Sequence, residues 1–418
     1  MKRLIGLLLA VNAVALTGNA AKSTLNVLDF GAKGDGVSKD TVAIQKALDA
    51  CGENGGGTVM VPEGMFLTGS LMMHANTTLQ LAPRGCLLGS PDLADYPLEN
   101  VRWEGEFREG HRALICATNA ANITISGGFI YGPPLTLGKQ RNPRGPILIE
   151  LTGCTNATLQ GFTSQYQNLW SIHTLFCNNL AARNLIIRTV GANGDGIDVD
   201  SCNGVTIERC DINTGDDAIS LKSGRGLTAQ NLNRPTENVV IRDCRLQSSI
   251  YAALGLGTEM SGGIRNVKLQ NCVLAGRQNG IFIKSRDGRG GYMENISGEN
   301  LTVLKSPTFI GIDLLKKGIQ ATDPVSGDVE KWPRVQNISF KNVHVQDVAD
   351  LVDGVNVPPA RPLNGFVLND ISGTCTRAIS IANMTNVNFT AVAVTGFTGP
   401  LVTAQNVHGK GFDGTASK

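Results

Sequence analysis

Two aspartates stand side by side in "NTGDDAISLKSG", residues 213–224, between a glycine and an alternating apolar run. Successive side chains of a strand point to opposite faces, so in a regular strand one of the two acids would point inward. A third acid, Asp195 in "NGDGID" (residues 193–198), precedes Asp216 and Asp217 by 21 and 22 residues. If about twenty-two residues make one circuit of a coil, with neighbouring strands roughly 4.8 Å apart, Asp195 lies beside the pair, one coil earlier. Three carboxylates on one face repel one another and raise at least one pKa. Hydrolysis of a glycosidic bond uses such a set, because one protonated carboxyl must donate to the leaving oxygen while an ionised one activates water. Spacing alone leaves three readings open: an Asp-rich turn, a calcium site of hard oxygen ligands, and acid–base catalysis.

The elements that must position these acids announce themselves as a repeat. An Asn followed by alternating apolar residues, with a small or apolar residue six or seven positions on, recurs as "NITISGG" from Asn122, "NATLQGF" from Asn156, "NLIIRTV" from Asn184 and "NGVTIERC" from Asn203. It continues as "NVVIRDC" from Asn238, "NVKLQNC" from Asn266, "NISFKNV" from Asn337 and, more loosely, "NVNFTAV" from Asn386. Strand-like alternation repeated over most of the chain predicts an all-β solenoid in which each coil is buried by its neighbours. Cys210, Cys244 and Cys272 then occupy equivalent inward positions and stack as small hydrophobes, while a bridge among the other cysteines stays open. The exception is "SKDTVAIQKALDACGENGGG", residues 38–57, whose Ile44, Ala47, Leu48 and Cys51 form one helical face, with Ser38 or Asp40 to cap its start and Gly52 and Gly55 to Gly57 to end it. One short N-terminal helix would cover the open end of the solenoid.

The chain of 418 residues is 42% hydrophobic and 17% charged with 50 glycines, enough to bury a large core broken by many turns. Residues 1–20 place Lys2 and Arg3 before the apolar Leu4–Leu16 and the small residues Gly18 to Ala20, a pattern expected of a secretory signal. Its removal takes two of the 37 basic residues and leaves 35 against 35 acidic ones. That balance points away from nucleic acid and anionic membranes, and no other segment has the length of a membrane span. The expectation is a single domain over residues 21–418, secreted or periplasmic and monomeric.

Six stretches taken in order carry a resemblance: residues 27–64, "NLWSIHTLFCNN" (168–179), "NGDGIDV" (193–199), "TGDDAISLKSG" (214–224), "GTEMSGGIRNV" (257–267) and "FIKSRDGRGG" (282–291). Together they resemble the polygalacturonase-type glycoside hydrolases of family 28, which degrade pectin. The resemblance implies a right-handed parallel β-helix and hydrolysis with inversion, without cofactor or metal. It also implies Asp216 as general acid, with Asp195 and Asp217 holding and deprotonating the attacking water. Inversion needs acid and base roughly 6.5–9.5 Å apart. Substrate-binding roles fall on Asn193, Tyr251, Phe282 and Lys284.

Two of those positions depart from the family. Tyr251 stands where members acting on homogalacturonan have the histidine of Gly-His-Gly, and Phe282 where they have the arginine of Arg-Ile-Lys. A lost guanidinium forfeits the bidentate grip on a uronate, and an aromatic ring suits the apolar face of a neutral or deoxy sugar. The substrate is therefore expected to be pectin-related but not plain polygalacturonate, for example a rhamnose-containing linkage, unless Arg265, Arg286 or Arg289 supplies the cation. Lys222 reads equally as a tuner of the acids and as a surface lysine, Glu259 as a loop-stabilising acid, and His173 as a satisfied structural histidine. Trp103, in the charged loop of residues 99–110, stacks on sugar or belongs to an exposed turn. Two competing classes are a calcium-dependent β-helix lyase and a non-catalytic carbohydrate-binding solenoid.

Overall fold

The computed structural model describes residues 23–133, 143–167, 169–316 and 330–412. Thirty strands form one continuous parallel sheet wound into a right-handed β-helix. Each coil contributes three strands. Ile172–Leu175, Asn178–Arg183 and Ile186–Thr189 pair in parallel with Ile197–Asp200, Asn203–Glu208 and Asp211–Thr214 of the next coil. Alternation turns one side chain in two inward, and equivalent residues stack along the axis: Ile197, Ile219, Leu254, Ile281 and Ile310 form one such row, all buried. Because each row is buried only by the coils above and below, the core exists only as a stack.

The recurring Asn marks a corner. Asn122, Asn156, Asn238, Asn266, Asn337 and Asn386 all adopt left-handed φ between 53° and 57°, a conformation Asn tolerates better than most residues. Their side chains bond from coil to coil, as in Asn238 Nδ2 to Asn203 Oδ1 (2.8 Å) and Asn266 Nδ2 to Asn238 Oδ1 (3.0 Å). Asn184 does not belong to this ladder. It aligns with Arg209, Asp243, Asn271 and Asn300 at the next corner of the coil, where left-handed residues recur as well.

All ten cysteines are free and buried. Cys210, Cys244 and Cys272 stack as expected, and the register places Cys154, Cys177 and Cys202 in a second stack of the same kind. The N-terminal helix α1, Thr41–Glu53, buries Ala43, Ile44, Ala47, Leu48 and Cys51 over the first coil. Its capping differs from expectation: Gly52 lies inside the helix, and Asp40 spends its carboxylate on the backbone N–H groups of Lys33 and Gly34 (2.7 and 3.0 Å). A second short helix, α2 at Gly226–Leu232, was not expected from the sequence pattern. It lengthens the coil from Ile219 to Leu254 to 35 residues, against 22 from Ile197 to Ile219. The signal segment of residues 1–20 and most of the 316–333 loop lie outside the described residues. No described helix is long and apolar enough to cross a membrane.

Candidate active site

Strands Ile197–Asp200 and Ile219–Lys222 pair with Ile197 opposite Ile219, so Asp195 falls directly beside Asp217 and Gly194 beside Asp216. Both acids of the pair nevertheless reach one cleft, because the chain entering the strand is bent. Asp216 N–H donates to Gly194 O (3.1 Å), Gly196 N–H to Asp217 O (3.0 Å) and Thr214 Oγ1 to Asp216 O (2.7 Å). Gly215 is required in this bend, since a Cβ there would collide with the backbone of Gly191. Gly255, one coil on, leaves the space that the Asp217 carboxylate fills.

Each carboxylate has its own partners. Asp216 accepts from the backbone N–H of Asn193 (2.8 Å), which is left-handed at φ 61°, and from that of Asp217 (2.9 Å). Asp217 accepts from Ala252 N–H (3.0 Å) and from Lys284 Nζ (2.6 Å). Asp195 lies 3.8 Å from Lys222 Nζ through one oxygen, while its buried Oδ1 has no hydrogen-bond partner among the described residues. One oxygen from each of the three acids lies within 4.8 Å of the others. That is closer than the 6.5–9.5 Å expected for acid and base, and spacing alone therefore does not select inversion.

Burial is the main force on the titrations. It pushes Asp195 well above the usual carboxylate range, helped by Asp198 and Asp216, and it raises Asp216 with help from Asp217. Asp198 rises to about 6, mainly from burial and against the pull of Lys222, whose Nζ is 2.6 Å away. Lys222 itself is buried, and although burial disfavours its charge, Asp198 and Asp195 hold its pKa above the ordinary value. Its ammonium sits 3.7 Å from the ring centre of Trp170, a cation–π contact. Three converging carboxylates have the chemistry of a cation site, but Lys284 and Lys222 already supply the positive charge there.

A cleft of about 350 Å³ collects these groups. Asp195, Asp216, Asp217, Asn193, Tyr251, Phe282 and Lys284 all line it, as do Lys222 and Glu259. Lys284 Nζ stands 5.7 Å from the ring centre of Tyr251 and 5.5 Å from that of Phe282. Of the three arginines offered as substitutes, none lines the cleft, and Arg265 is engaged with Glu237 at 2.6 Å. His173 is fully buried with Nδ1 2.9 Å from Glu150, a structural histidine as expected. Trp103 requires correction. It is neither exposed nor in the cleft, being fully buried and stacked on Trp170 at 4.0 Å between ring centres. Glu104, Trp170, Ser220 and Lys316 line the cleft without having been singled out from the sequence. Glu104 comes from a hairpin and precedes Asp195 by 91 residues and Asp217 by 113, a juxtaposition no local motif records.

Comparison with known proteins agrees with this architecture. The sequence profile described as "Glycosyl hydrolases family 28" matches residues 51–395. A probable polygalacturonase of Vitis vinifera is 30% identical over 367 residues, covering 83% of this chain and 73% of that protein. An exo-poly-alpha-D-galacturonosidase of Dickeya chrysanthemi is 27% identical over 391 residues, 80% of this chain and 64% of that one. Among solved structures, an exopolygalacturonase from Thermotoga maritima shares the fold with a TM-score of 0.77 at 24% identity, over 93% of this chain and 92% of that chain.

Proposed function

The chain belongs to glycosyl hydrolases family 28 and is a polygalacturonase-type glycoside hydrolase; from that premise we propose that Asp216, Asp195 and Asp217 catalyse inverting hydrolysis of a pectin-related sugar chain. Asp216 gives its proton to the glycosidic oxygen as the bond to the anomeric carbon breaks. Water held between Asp195 and Asp217 attacks that carbon from the opposite face and passes its proton to one of them, so that hydroxyl goes to the sugar and hydrogen to the leaving group. The observation that carries this reading is the convergence of three buried carboxylates in one cleft, with Asp216 raised toward the protonated form and Asp195 Oδ1 left without a hydrogen-bond partner among the described residues. Asp195 is raised as well. The cluster therefore titrates as a unit, and Lys222 beside Asp195 and Lys284 on Asp217 favour placing the negative charge on those two.

The roles are separable by experiment. With an aryl glycoside whose leaving group needs no proton, Asp216→Asn retains much of its turnover while Asp195→Asn and Asp217→Asn do not. Equal losses in all three on that substrate would contradict the assignment. Proton NMR of the first-formed anomer tests inversion, and a retained configuration would point to a glycosyl-enzyme intermediate.

The substrate reading rests on the lining. Tyr251 and Phe282 flank Lys284, and among the described residues no arginine lines the cleft, which supports a substrate other than plain polygalacturonate, such as a rhamnose-containing linkage. The charged-then-apolar N-terminal residues support export, with action as a secreted or periplasmic monomer. Comparable kcat/KM on polygalacturonate and rhamnogalacturonan would overturn the substrate reading.

A further inference from the structure

Away from the cleft, four successive coils near the N-terminus carry an apolar stripe on the outside of the helix. Leu67, Leu88 and Tyr131 stand beside one another in parallel register, half-buried on the outer face, while their neighbours Phe66, Leu87 and Ile130 fill the core. Further along the axis the outer face of the same strand carries Arg188, Asn213 and Gln247. The polar residues there are what an exposed strand face calls for, and the stripe is the exception.

Tyr166 completes the stripe through a departure from regular pairing. The register gives Gln165 the place beside Tyr131, and pairing with the following coil slips between Ser164 and Gln167. Tyr166 sits in that slip at φ 62°, a left-handed conformation that is costly for a bulky residue and that no side-chain amide relieves here, unlike at the asparagine corners. A bulge of this kind re-aims a side chain. It sets the Tyr166 ring edge to face with Tyr131, centres 5.2 Å apart, and leaves the residue 57% exposed. Packing of the core does not account for a ring held on the surface at a backbone cost.

Leu67, Leu88, Pro91, Gly132 and Tyr166 line a trough of about 410 Å³, and among the described residues no charged group lines it. Lys39, beside Leu67 in the sheet, is engaged with Asp92 and Asp95 at 3.1 and 2.8 Å. The trough therefore offers apolar surface and not charge. Its walls come from successive coils, so it runs along the helix axis for roughly 14 Å, three strand spacings. Trp170, which lines the cleft, follows Tyr166 by four residues, and their Cα atoms can be no more than about 14 Å apart. The trough thus approaches the catalytic cleft from the N-terminal coils.

What fits such a trough is narrow, extended and apolar on one face. A sugar chain has that form: its C–H faces stack on an aromatic ring, and the tyrosine hydroxyl can bond the hydroxyls at its rim. A protein partner held by this stripe alone would fall short of the roughly 800 Å² per side that a stable interface buries.

We propose that the trough is an accessory carbohydrate-binding site, in which Tyr166 stacks on a sugar unit of the pectin-related polymer and holds the enzyme on its substrate outside the cleft. The identity of the polymer rests on the hydrolase reading above.

The test uses the full-length protein and two variants: Tyr166→Asn, which suits a left-handed backbone and removes the ring, and Tyr166→Phe, which keeps it. Retention by rhamnogalacturonan and by polygalacturonate is measured by affinity electrophoresis in the Asp216→Asn background. Kinetics are measured in the active enzyme on the polymer it cuts and on an aryl glycoside too small to reach the trough. The expected result for Tyr166→Asn is about tenfold weaker retention and a matching rise in KM on the polymer, the worth of one stacked ring. Its kcat on the polymer and its turnover of the aryl glycoside stay at the wild-type level, and it melts no lower than the wild type. Tyr166→Phe keeps retention within about twofold. Retention by both polymers unchanged in Tyr166→Asn would overturn the proposal. So would a lower melting temperature with equal losses on polymer and aryl glycoside, which would make Tyr166 a packing residue. Self-association of the wild type that Tyr166→Asn abolishes would give the trough to a second copy of the chain and likewise overturn it. Ring-dependent retention by an enzyme that hydrolyses none of these substrates would support the site while removing the hydrolase reading.

Discussion

Lys222 shows how much of the acidic cluster depends on a residue that is not an acid. Its ammonium faces Asp198, Asp195 and Glu259 and rests on Trp170, and it is the group pulling Asp195 toward ionisation against burial and three other acids. In Lys222→Met that pull is gone, so Asp195 ionises at higher pH and the acid limb of the kcat/KM profile moves up by about one unit or more. A profile that keeps its limb while only the rate falls would reduce Lys222 to packing. The raised pKa of Asp195 also has a stability consequence with a fixed sign. A carboxyl whose folded pKa lies above its unfolded value contributes stability below the unfolded value, near 3.9, and loses it as pH rises through the folded one. Asp195→Asn should therefore melt at a higher temperature than the wild type at pH 7, with the difference vanishing near pH 3, while activity is lost. A lower melting temperature at pH 7 would contradict the picture of an acid held at a cost for function. Asp195, Asp216 and Asp217 were legible because one coil's circuit separates them. Lys222 was ambiguous because it is buried against Asp195, Asp198 and Trp170 of other coils, and Glu104 was invisible because it comes from a hairpin distant in sequence.

Among the elements, the asparagine corner is the most testable. Asn266 gives one ladder bond to Asn238 and receives one from Asn295 Nδ2 (3.1 Å), at φ 56°. Asn266→Ala loses both bonds and places a Cβ-bearing residue without a local hydrogen bond in the left-handed region, a cost of about 1–3 kcal/mol. Asn266→Gly keeps the backbone comfortable and should cost less, so the urea midpoints should fall in the order wild type, Gly, Ala. Equal midpoints for Gly and Ala would mean that the bonds, not the backbone conformation, set the penalty. The repeat made the solenoid readable, yet it put Asn184 on the wrong corner, because two corners of each coil favour left-handed residues and six residues of sequence do not distinguish them. Helix α2 went unseen for a related reason: seven residues at the tip of an excursion carry too little period to stand out from a loop.

At the scale of the whole molecule, the coils are held by stacking and not by disulfides, since all ten cysteines are free and buried. Ten cysteines in a chain with an export-like leader suggest a disulfide framework by composition, and in the sequence only the recurrence of Cys210, Cys244 and Cys272 at one place in the repeat argues otherwise. The melting temperature should therefore be the same with and without a thiol reductant, and all ten thiols should titrate once the chain is unfolded. A reductant-dependent drop would mean that some rows are bridged. The coils also bring the three acids and their two lysines to one place, and the account stands or falls on what that place does. The direct test is release of reducing sugar from polygalacturonate and rhamnogalacturonan, in the presence of a metal chelator, by the wild type and by Asp216→Asn. The expected result is chelator-resistant hydrolysis that falls by about 10²–10⁴ in the variant. Undiminished hydrolysis by Asp216→Asn, or activity that needs calcium and yields an unsaturated product absorbing in the ultraviolet, would contradict it.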